Sequence, residues 1–504
     1  MPDKNELLYT KKIAYDTIGE EEIARADEYC EEYKHYLDNA KTEREAVAQA
    51  IKLAAERGFV PYKRGMELKP GTRIYTEYGG KALILAAIGK APLSSGVNIA
   101  AAHVDSPRID LKQVPLYEDG DMAFFKTHYY GGIKKYHWVA QPLALHGIVV
   151  KKDGQAINIV IGEDETDPIF MITDLLPHLG KDQLKKTLAE VFTGENLNIL
   201  LGIRPNSPPL EGCRQRRQGG PPEAKSQSDE QDSLSNDSGD CGSEAAMTDK
   251  GTGSNEKDRV KYAIMKILNE KYGIVEEDFL SAEIEAVPLM RARDVGLDRS
   301  MIGAYGHDDR SCAFAALRAI LDLSDPGMTA VCILADKEEI GSEGVSGMQS
   351  AAFDDFMEEL CDATGTRLRD CYRSSFCLSA DVCNAFDPNF PDVSEKLNSA
   401  KLGCGVGVMK YTGSSGKTST SDASAEVVAM LRSVFASNNV AWQMAELGKV
   451  DQGGGGTIAK YMANRNIATI DAGVPVLSMH APYEIVSKLD CYMAHKGIMA
   501  VYGR

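Results

Sequence analysis

Two adjacent glutamates, Glu338 and Glu339, follow an apolar run and precede a glycine within the segment DKEEIG at 336–341. Adjacent side chains of an extended chain point in opposite directions, so one carboxylate can bind a metal ion while its neighbour faces a water beside that ion. A hydrolase that uses a metal-activated water needs such a ligand and such a base side by side. The pair therefore predicts metal-dependent hydrolysis, provided that further ligands lie elsewhere in the chain.

Other residues of the metal-binding type lie where predicted strands or loops end. With Glu339 they make a candidate set of nitrogen and oxygen ligands: His103, Asp308, Glu339, Asp381 and His480. Zinc accepts such ligands without any cysteine. Five ligands suit two ions if one carboxylate bridges them, and two ions together can activate water and polarise a substrate carbonyl. We expect two Zn²⁺ per subunit, and Co²⁺ or Mn²⁺ suit similar ligands.

Two residues have predicted roles beside the ligands. Glu338 is the candidate general base, which takes a proton from the water and returns it to the leaving amine. Asp105, two residues beyond His103, lies on the same side of an extended chain and could accept the second imidazole N–H, which fixes the tautomer.

Each candidate also has a purely structural interpretation. Asp309 could replace Asp308 as the ligand, because only side-chain direction separates adjacent residues, and His307 is expected to point away from the site. Taken alone, His103 in its apolar run reads more often as a hydrogen-bonded core histidine. Asp381 could simply cap a turn.

The composition limits the class of protein. A chain of 504 residues suggests two domains. The formal charge of −18 argues against a nucleic-acid partner, and no segment has the roughly 20 apolar residues that span a membrane. The N-terminus lacks a signal-peptide pattern. Eleven scattered cysteines without CxxC pairs suit free thiols in a reducing compartment, so we expect a cytoplasmic protein.

Apolar periodicity predicts an α/β protein. In chain order the predicted elements are a helix over 20–57, strands over 82–88, 97–102, 143–150 and 156–162, a helix over 311–323, strands over 329–335, 375–380 and 475–479, and a helix over 483–501. Residues 211–257 have almost no large apolar side chain, so we expect a disordered low-complexity insertion there. The candidate ligands follow strands, and in open α/β sheets such positions meet at the carboxyl edge.

The assembled residues resemble the M18 metallopeptidases, the group of aspartyl aminopeptidase and vacuolar aminopeptidase I. The matching segments occur in the family's order: AHVDSP at 102–107, DD at 308–309, DKEEIGS at 336–342, SAD at 379–381 and SMH at 478–480. The resemblance implies a two-zinc exopeptidase with Glu338 as the catalytic base. It implies one zinc on His103, Asp308 and Asp381, and the other on bridging Asp308, Glu339 and His480.

The same resemblance implies a zinc-exopeptidase-like α/β/α proteolytic domain, interrupted by a smaller, partly β dimerisation domain. Here the proteolytic domain would comprise 1–104 and 294–504, and the dimerisation domain 105–293. Family members form dimers that assemble into tetrahedral dodecamers, so we expect a homo-oligomer. The segment QPLALH at 141–146 matches the place where the family presents a histidine to the partner subunit, so His146 would stabilise the oxyanion in trans.

The preferred N-terminal residue of the substrate stays open. Lys410 lies where the aspartyl-specific branch has a lysine suited to an acidic side chain, and with Lys417 it could favour carboxylates or be a surface charge. The surrounding segment YTGSSGK at 411–417 is more similar to the aminopeptidase I branch, which prefers neutral residues. Asn384 stands where the aspartyl-specific members have a histidine.

The leading hypothesis is a zinc aminopeptidase that acts on peptides. The alternatives are a metal-dependent deacylase or carboxypeptidase of the same fold, or a non-catalytic assembly protein. A scaffold has no physical reason to retain a costly cluster of carboxylates, which argues against the last alternative.

Overall fold

The computed structural model describes residues 7–205 and 257–504. The predicted insertion at 211–257 lies outside the described residues except for residue 257. The α-helices in these ranges are α1 (Glu20–Asp38), α2 (Glu43–Glu56), α3 (Leu188–Val191), α4 (Arg259–Tyr272), α5 (His307–Asp322), α6 (Ala352–Ala363), α7 (Leu368–Ser374), α8 (Ala425–Ser437), α9 (Ala459–Ala463) and α10 (Lys488–Tyr502). None of these helices has the length and apolar character to cross a membrane.

Strands account for the rest of the regular structure. They are β1 (Val60–Pro61), β2 (Arg73–Tyr78), β3 (Ala82–Ala87), β4 (Val97–His103), β5 (Arg108–Asp119), β6 (Met122–Tyr130), β7 (Leu143–Val150), β8 (Ala156–Ile161), β9 (Met171–Ile172), β10 (Ile199–Gly202), β11 (Ala282–Pro288), β12 (Arg293–Val295), β13 (Met301–Ala304), β14 (Thr329–Ala335), β15 (Phe376–Ser379), β16 (Cys383–Asn384), β17 (Val406–Met409), β18 (Trp442–Met444), β19 (Ala468–Gly473), β20 (Pro475–Leu477) and β21 (Glu484–Ser487).

A nine-stranded sheet forms the centre of the molecule, with the strand order β1-β2-β3-β14-β4-β15-β19-β17-β18. Its middle strands β14, β4, β15 and β19 run parallel to one another. The residues of β4 and β14 are all buried, because helices cover both faces of a parallel sheet. The parallel strands therefore end at one common edge of the sheet.

The two faces of this sheet belong to separate apolar clusters. Leu83 packs into the cluster with α1, α5 and α10, whereas its neighbour Ile84 packs into the cluster with α6 and α7. Successive side chains of a strand point to opposite faces, so the alternation follows from strand geometry. These layers confirm the predicted α/β class.

The predicted helix over 20–57 is two helices. It breaks before α2, where the Thr42 side chain accepts the N–H of Glu45 and the Glu45 side chain accepts the N–H of Thr42. This reciprocal capping box satisfies the free amides of a new helix start, so the chain turns there.

The predicted helix over 483–501 begins later than expected. Its first residues form the strand β21, and the helix starts at Lys488, where the Ser487 side chain caps the N–H of Asp490. The apolar pair at 485–486 fits either period, and pairing with β13 and β20 selects the strand.

Residues between the two parts of the central sheet form a second sheet. Its seven strands have the order β8-β7-β11-β5-β6-β10-β9, and all of them lie between residues 108 and 288. A smaller five-stranded sheet, β12-β13-β21-β20-β16, carries the C-terminal site residues. The division into a proteolytic and a dimerisation domain stays a prediction.

Candidate active site

The common edge of the parallel strands brings the first candidate ligands together. His103 is the last residue of β4 and is paired in register with Ala335, the last residue of β14. Glu338 and Glu339 follow β14 directly, and Asp381 lies two residues beyond β15. The prediction that these strand ends converge therefore agrees with the topology.

His103 faces three carboxylates. Its Nε2 atom lies 3.3 Å from Asp308 Oδ1, 3.8 Å from Asp381 Oδ1 and 4.0 Å from Glu338 Oε2. The imidazole is almost wholly buried, so these carboxylates surround a ring nitrogen away from solvent. This grouping is the first half of the site.

Asp308 connects this half to a second histidine. Its Oδ2 atom lies 3.2 Å from His480 Nε2, and the same nitrogen lies 3.6 Å from Glu339 Oε1. One carboxylate oxygen of Asp308 thus faces His103 and the other faces His480. That is the arrangement a bridging carboxylate requires.

The neighbours of Asp308 differ in direction. Asp309 accepts the backbone N–H of His103 at 3.3 Å and groups with His103 and Asp381 as potential ligands, so the alternative between the two aspartates remains open. His307 points away, as expected, and its ring nitrogens contact the Tyr33 hydroxyl and the Ile302 carbonyl.

Asp105 supports the site from behind. Its backbone carbonyl and its Oδ1 atom lie 3.0 and 3.3 Å from His103 Nδ1, so both can accept the second imidazole N–H. Its carboxylate also accepts the backbone N–H groups of Glu338 and Glu339, at 3.1 and 3.2 Å. One buried aspartate therefore orients the histidine and the glutamate pair together.

A buried glutamate that the sequence analysis missed supports the other half. Glu484 on β21 accepts the backbone N–H of Asp308 at 3.0 Å and that of His480 at 2.6 Å. It ties together two segments that are distant in sequence. Its only sequence signal was an acidic residue at the edge of an apolar run.

The end of strand β6 is a second missed support. The Tyr130 hydroxyl donates to Asp105 Oδ2 at 2.8 Å, and the Gly132 carbonyl accepts from His480 Nδ1 at 2.8 Å. A Cβ at Gly131, where φ is +73°, would lie 3.3 Å from Glu339 Cβ, so glycine permits the close approach. The second sheet thus contacts the site directly.

The electrostatics of the site favour a cation. Burial raises the pKa of Glu338 to about 7, and burial raises the pKa values of Glu339 and Asp381 well above the usual range. No lysine or arginine in the described chain forms an ion pair with these carboxylates, and the buried Glu339 Oε1 atom has no hydrogen-bond donor. The two histidines compensate only part of the negative charge, and nitrogen and oxygen donors of this kind fit zinc.

The carboxylates open into a cavity of about 560 Å³. Its wall combines the site residues with three loops and a short helix: Asp308, Glu338, Glu339, Gly341, Ser342, Asp381, Val382, Cys383, Met409, Thr412, Ser414, Thr418, Ser419, Leu447, Gly454, Gly455, Gly456, Thr457, Lys460, Tyr461, Met479 and His480. A cavity of this size accommodates a small peptide.

His146 lies outside this cavity. Its Nδ1 atom is 2.7 Å from Glu45 Oε1 and its Nε2 atom is 3.2 Å from Glu163 Oε1, and the ring is buried. Burial alone would lower its pKa, but the two carboxylates more than offset this and raise it. An oxyanion donor in trans needs an N–H that faces the partner subunit, so the role of His146 stays a prediction.

The predicted specificity residues also lie apart from the cavity wall. Lys410 and Lys417 both contact Asp422, at 2.6 and 3.3 Å, which supports their interpretation as surface charges. Asn384 belongs to β16 and does not line the cavity. All nine cysteines in the described ranges are free and buried, as predicted for them.

Known proteins similar to this chain are metallo-aminopeptidases, in agreement with the metal-binding character of the site. The profile of the family described as "Aminopeptidase I zinc metalloprotease (M18)" matches residues 36–502. A relative in Clostridium acetobutylicum, named probable M18 family aminopeptidase 1, is 45% identical, and the match covers 98% of this chain and 99% of that one. One in Thermotoga maritima with the same name is 42% identical and covers 94% and 95%.

Solved structures agree with these relatives. The crystal structure of an M18 family aminopeptidase from Thermotoga maritima superposes with a TM-score of 0.85 at 40% identity, covering 98% of this chain and 99% of that chain. The aminopeptidase I of Clostridium acetobutylicum gives 0.84 at 41% identity, with coverage of 99% and 100%. The fold and the site therefore define a metallo-aminopeptidase. The chain belongs to the M18 family of zinc aminopeptidases.

Proposed function

We propose that this chain removes N-terminal residues from peptides with two zinc ions and Glu338 as the general base. The observation that carries the proposal is the Asp308 carboxylate, whose two oxygens face His103 and His480 separately. This arrangement favours two adjacent ions over one. His103, Asp308 and Asp381 would hold the first zinc, and Asp308, Glu339 and His480 the second.

When bound, zinc ions supply an activated water and polarise the substrate carbonyl. The chain's own residues supply the proton transfers. Glu338 lines the cavity, and burial raises its pKa to about 7, which suits a group that accepts and returns a proton near neutral pH. It would accept the proton from the attacking water and deliver it to the amine that leaves.

Asp105 and Glu484 are positioning residues in this proposal. Asp105 accepts the backbone N–H groups of Glu338 and Glu339 and so fixes where their side chains begin. Glu484 does the same for Asp308 and His480. Rigid support of this kind keeps ligands oriented before the ions bind.

Replacement of Glu338 tests the base. Glu338→Gln keeps the size of the side chain but cannot accept a proton, so kcat on an aminoacyl amide should fall by about 10²–10⁴-fold. Zinc content, measured by elemental analysis, should stay unchanged because the ligands remain. Glu343→Gln, an exposed position in the same loop, is the matched control. Turnover that survives Glu338→Gln would reject the assignment.

A substrate panel separates the aminopeptidase from a deacylase or carboxypeptidase. Aminoacyl amides with a free α-amino group should be cleaved, and their N-acetylated counterparts should not. Preference for the blocked compounds would indicate a deacylase of the same fold. Cleavage that starts from the C-terminus of a longer peptide would indicate a carboxypeptidase.

We also propose that 105–293 forms a dimerisation domain of a homo-oligomer, with 1–104 and 294–504 as the proteolytic domain. Large apolar side chains are exposed in the segment 169–188: Ile169, Met171, Leu175, Leu176, Leu179, Leu184 and Leu188. Exposed apolar surface of this kind marks interfaces. A related fold, the S. cerevisiae mApe1 dodecamer, superposes with a TM-score of 0.70 at 18% identity.

Light scattering tests the assembly. The double variant Leu176→Asp and Leu179→Asp should lower the oligomer mass, whereas the same change at Leu397, an exposed leucine elsewhere, should not. An unchanged mass in the double variant would place the interface on another surface. In such an oligomer His146 would stabilise the oxyanion in the partner subunit's site, for which one of its ring nitrogens must exchange its contact with Glu45 or Glu163.

A further inference from the structure

We propose that Lys460 binds a carboxylate of the substrate and so gives this enzyme a preference for short or acidic peptides. The inference rests on the proposed aminopeptidase function and extends it to substrate class. The carboxylate is either the free C-terminus of a short peptide or an acidic side chain. Both sources present the same group to the lysine.

Lys460 holds a distinct place in the cavity. Among the described residues of the cavity wall, Lys460 is the one lysine or arginine. The other end of the cavity, at Glu338 and Glu339, is lined by acidic side chains. Lys460 belongs to the short helix α9, and its Nζ atom lies 3.7 Å from where a Cβ on Gly456 would stand. The ammonium group therefore lies beside the glycine run at 453–456.

Within residues 7–205 and 257–504 no acidic side chain lies within ion-pair distance of Lys460. Its ammonium group instead lies 4.8 Å from the centroid of the Tyr461 ring. Tyr461 is itself held by a hydrogen bond of 3.1 Å from its hydroxyl to the Gly341 carbonyl. An ammonium group that lies on a cavity wall without a counter-ion can bind a carboxylate of a ligand.

The other lysines of this region do not have this freedom. Lys410 and Lys417 both contact the Asp422 carboxylate, and Lys417 also lies over the Tyr411 ring at 3.9 Å. Their charge is already compensated within the chain. The structure therefore moves the candidate for carboxylate recognition from Lys410 to Lys460.

The remaining cavity wall is compatible with a peptide. Thr412, Ser414 and Ser419 offer hydroxyls, and Met409 and Leu447 offer apolar surface. Lys460 is thus the cationic side chain that the described cavity wall offers to a substrate carboxylate.

Kinetics on paired peptides test the inference. The probes are the dipeptide Leu-Ala, its C-terminal amide, and amides whose first residue is Asp or Leu. For Lys460→Met, kcat/KM should fall by about tenfold more on the carboxylate member of a pair than on its neutral partner, the equivalent of one charge-assisted bond. The loss should appear in KM, because the lysine contacts a group remote from the reacting carbonyl.

The two pairs distinguish the source of the carboxylate. A selective loss on Leu-Ala assigns the C-terminus, and a selective loss on the Asp amide assigns the first side chain. Lys410→Met is the matched control and should leave both ratios unchanged. Equal losses on every probe, or an unchanged ratio in Lys460→Met, would overturn the inference while the aminopeptidase stands. Failure of the unmodified enzyme to cleave any probe would instead count against the proposed function.

Discussion

Two buried clusters of carboxylates lie near each other, and they differ in how the free-energy cost of burying their charge is offset. The metal-site cluster consists of His103, Asp308, Glu338, Glu339, Asp381 and His480. The arginine cluster consists of Glu43, Arg108, Asp110 and Glu285. Both remove acidic groups from water, which is costly without compensation.

The arginine cluster carries its own cation. Arg108 Nε lies 2.8 Å from Asp110 Oδ1 and 3.0 Å from Glu285 Oε2, and its Nη1 atom lies 3.4 Å from Glu43 Oε2. Lys81 adds a second contact to Glu43 at 3.3 Å. The cluster joins α2 to the second sheet, and its cations lie within the chain, although burial still raises the pKa of Glu285 well above its usual range.

The metal-site cluster has two histidines and no lysine or arginine contact within the described ranges. Its carboxylates are poised for a cation that comes from outside. Buried carboxylates without a lysine or arginine partner thus indicate a ligand site, whereas carboxylates around an arginine indicate a structural role. The two clusters should therefore respond oppositely to the same kind of change.

The largest contrast should come from charge removal in each cluster. Arg108→Met leaves the buried Glu43 and Glu285 carboxylates and the partly exposed Asp110 without the arginine, and should lower the free energy of unfolding by about 3–5 kcal/mol. Urea denaturation measures the change. Asp381→Asn in metal-free protein should instead raise the free energy of unfolding, because burial makes the ionised form of this carboxyl costly and raises its pKa well above the usual range. If metal-free Asp381→Asn protein is less stable than the unmodified protein, the metal-site cluster does not differ from the arginine cluster in this way.

Metal removal should come next in size. Chelation should lower the free energy of unfolding by about 3 kcal/mol for each site, if the free metal concentration before chelation was 100-fold above the Kd of that site. Calorimetry on chelated and zinc-reconstituted protein measures the difference. Magnesium at the same concentration should not restore the melting temperature, because histidine ligands favour zinc. Equal stability with and without metal would contradict the proposal that the cluster binds cations.

The arginine cluster should show a pH dependence of its own. Burial would raise the pKa of Glu43, but Arg108 and Lys81 more than offset this and lower it from 4.5 to about 2. Its contribution to stability is therefore present above pH 4.5 and is lost as the pH falls toward 2.

The Glu43→Gln variant measures that contribution. Its deficit in unfolding free energy should shrink by roughly 2 kcal/mol between pH 6 and pH 3. Glu343→Gln, at an exposed position, should show no such change. A deficit that stays constant with pH would mean that Glu43 is not ionised by its cationic neighbours.

The smallest effect should come from the residue between the clusters. The Tyr130 ring lies under the Arg108 guanidinium at 3.8 Å, and its hydroxyl donates to Asp105. Tyr130→Phe keeps the ring but loses the hydrogen bond, so stability should fall by about 1 kcal/mol. The kcat on an aminoacyl amide should fall as well, since Asp105 positions Glu338. A drop in stability without any change in kcat would mean that the Tyr130 hydroxyl does not affect the position of Glu338.

The sequence was sufficient to predict which site residues lie together when those residues stand at the ends of parallel strands. His103, Glu339 and Asp381 follow apolar runs, and the geometry of a parallel sheet alone brings such positions to one edge. Side-chain direction also placed His307 away from the site. These are local properties, so periodicity and spacing carry them.

Supports that act across the fold could not be predicted in this way. Glu484 and Tyr130 contact the site only because β21 and β6 return to it, and no spacing in the sequence encodes that return. Lys460 was missed for the same reason. Lys410, for which the sequence left recognition of a carboxylate and a surface charge both open, pairs with Asp422. The break before α2 did have a local signal, the Thr42–Glu45 capping pair.

The end of strand β6 has a consequence for how the molecule can be divided. Tyr130 ends a strand of the sheet that we propose for assembly and Gly132 follows that strand, yet they hold Asp105 and His480 in place. Excising 105–293 to obtain a minimal enzyme would therefore remove the back wall of the catalytic centre. Any movement that neighbouring subunits impose on this sheet would reach the ligands through the segment after β6 and through residues 105–107 before β5.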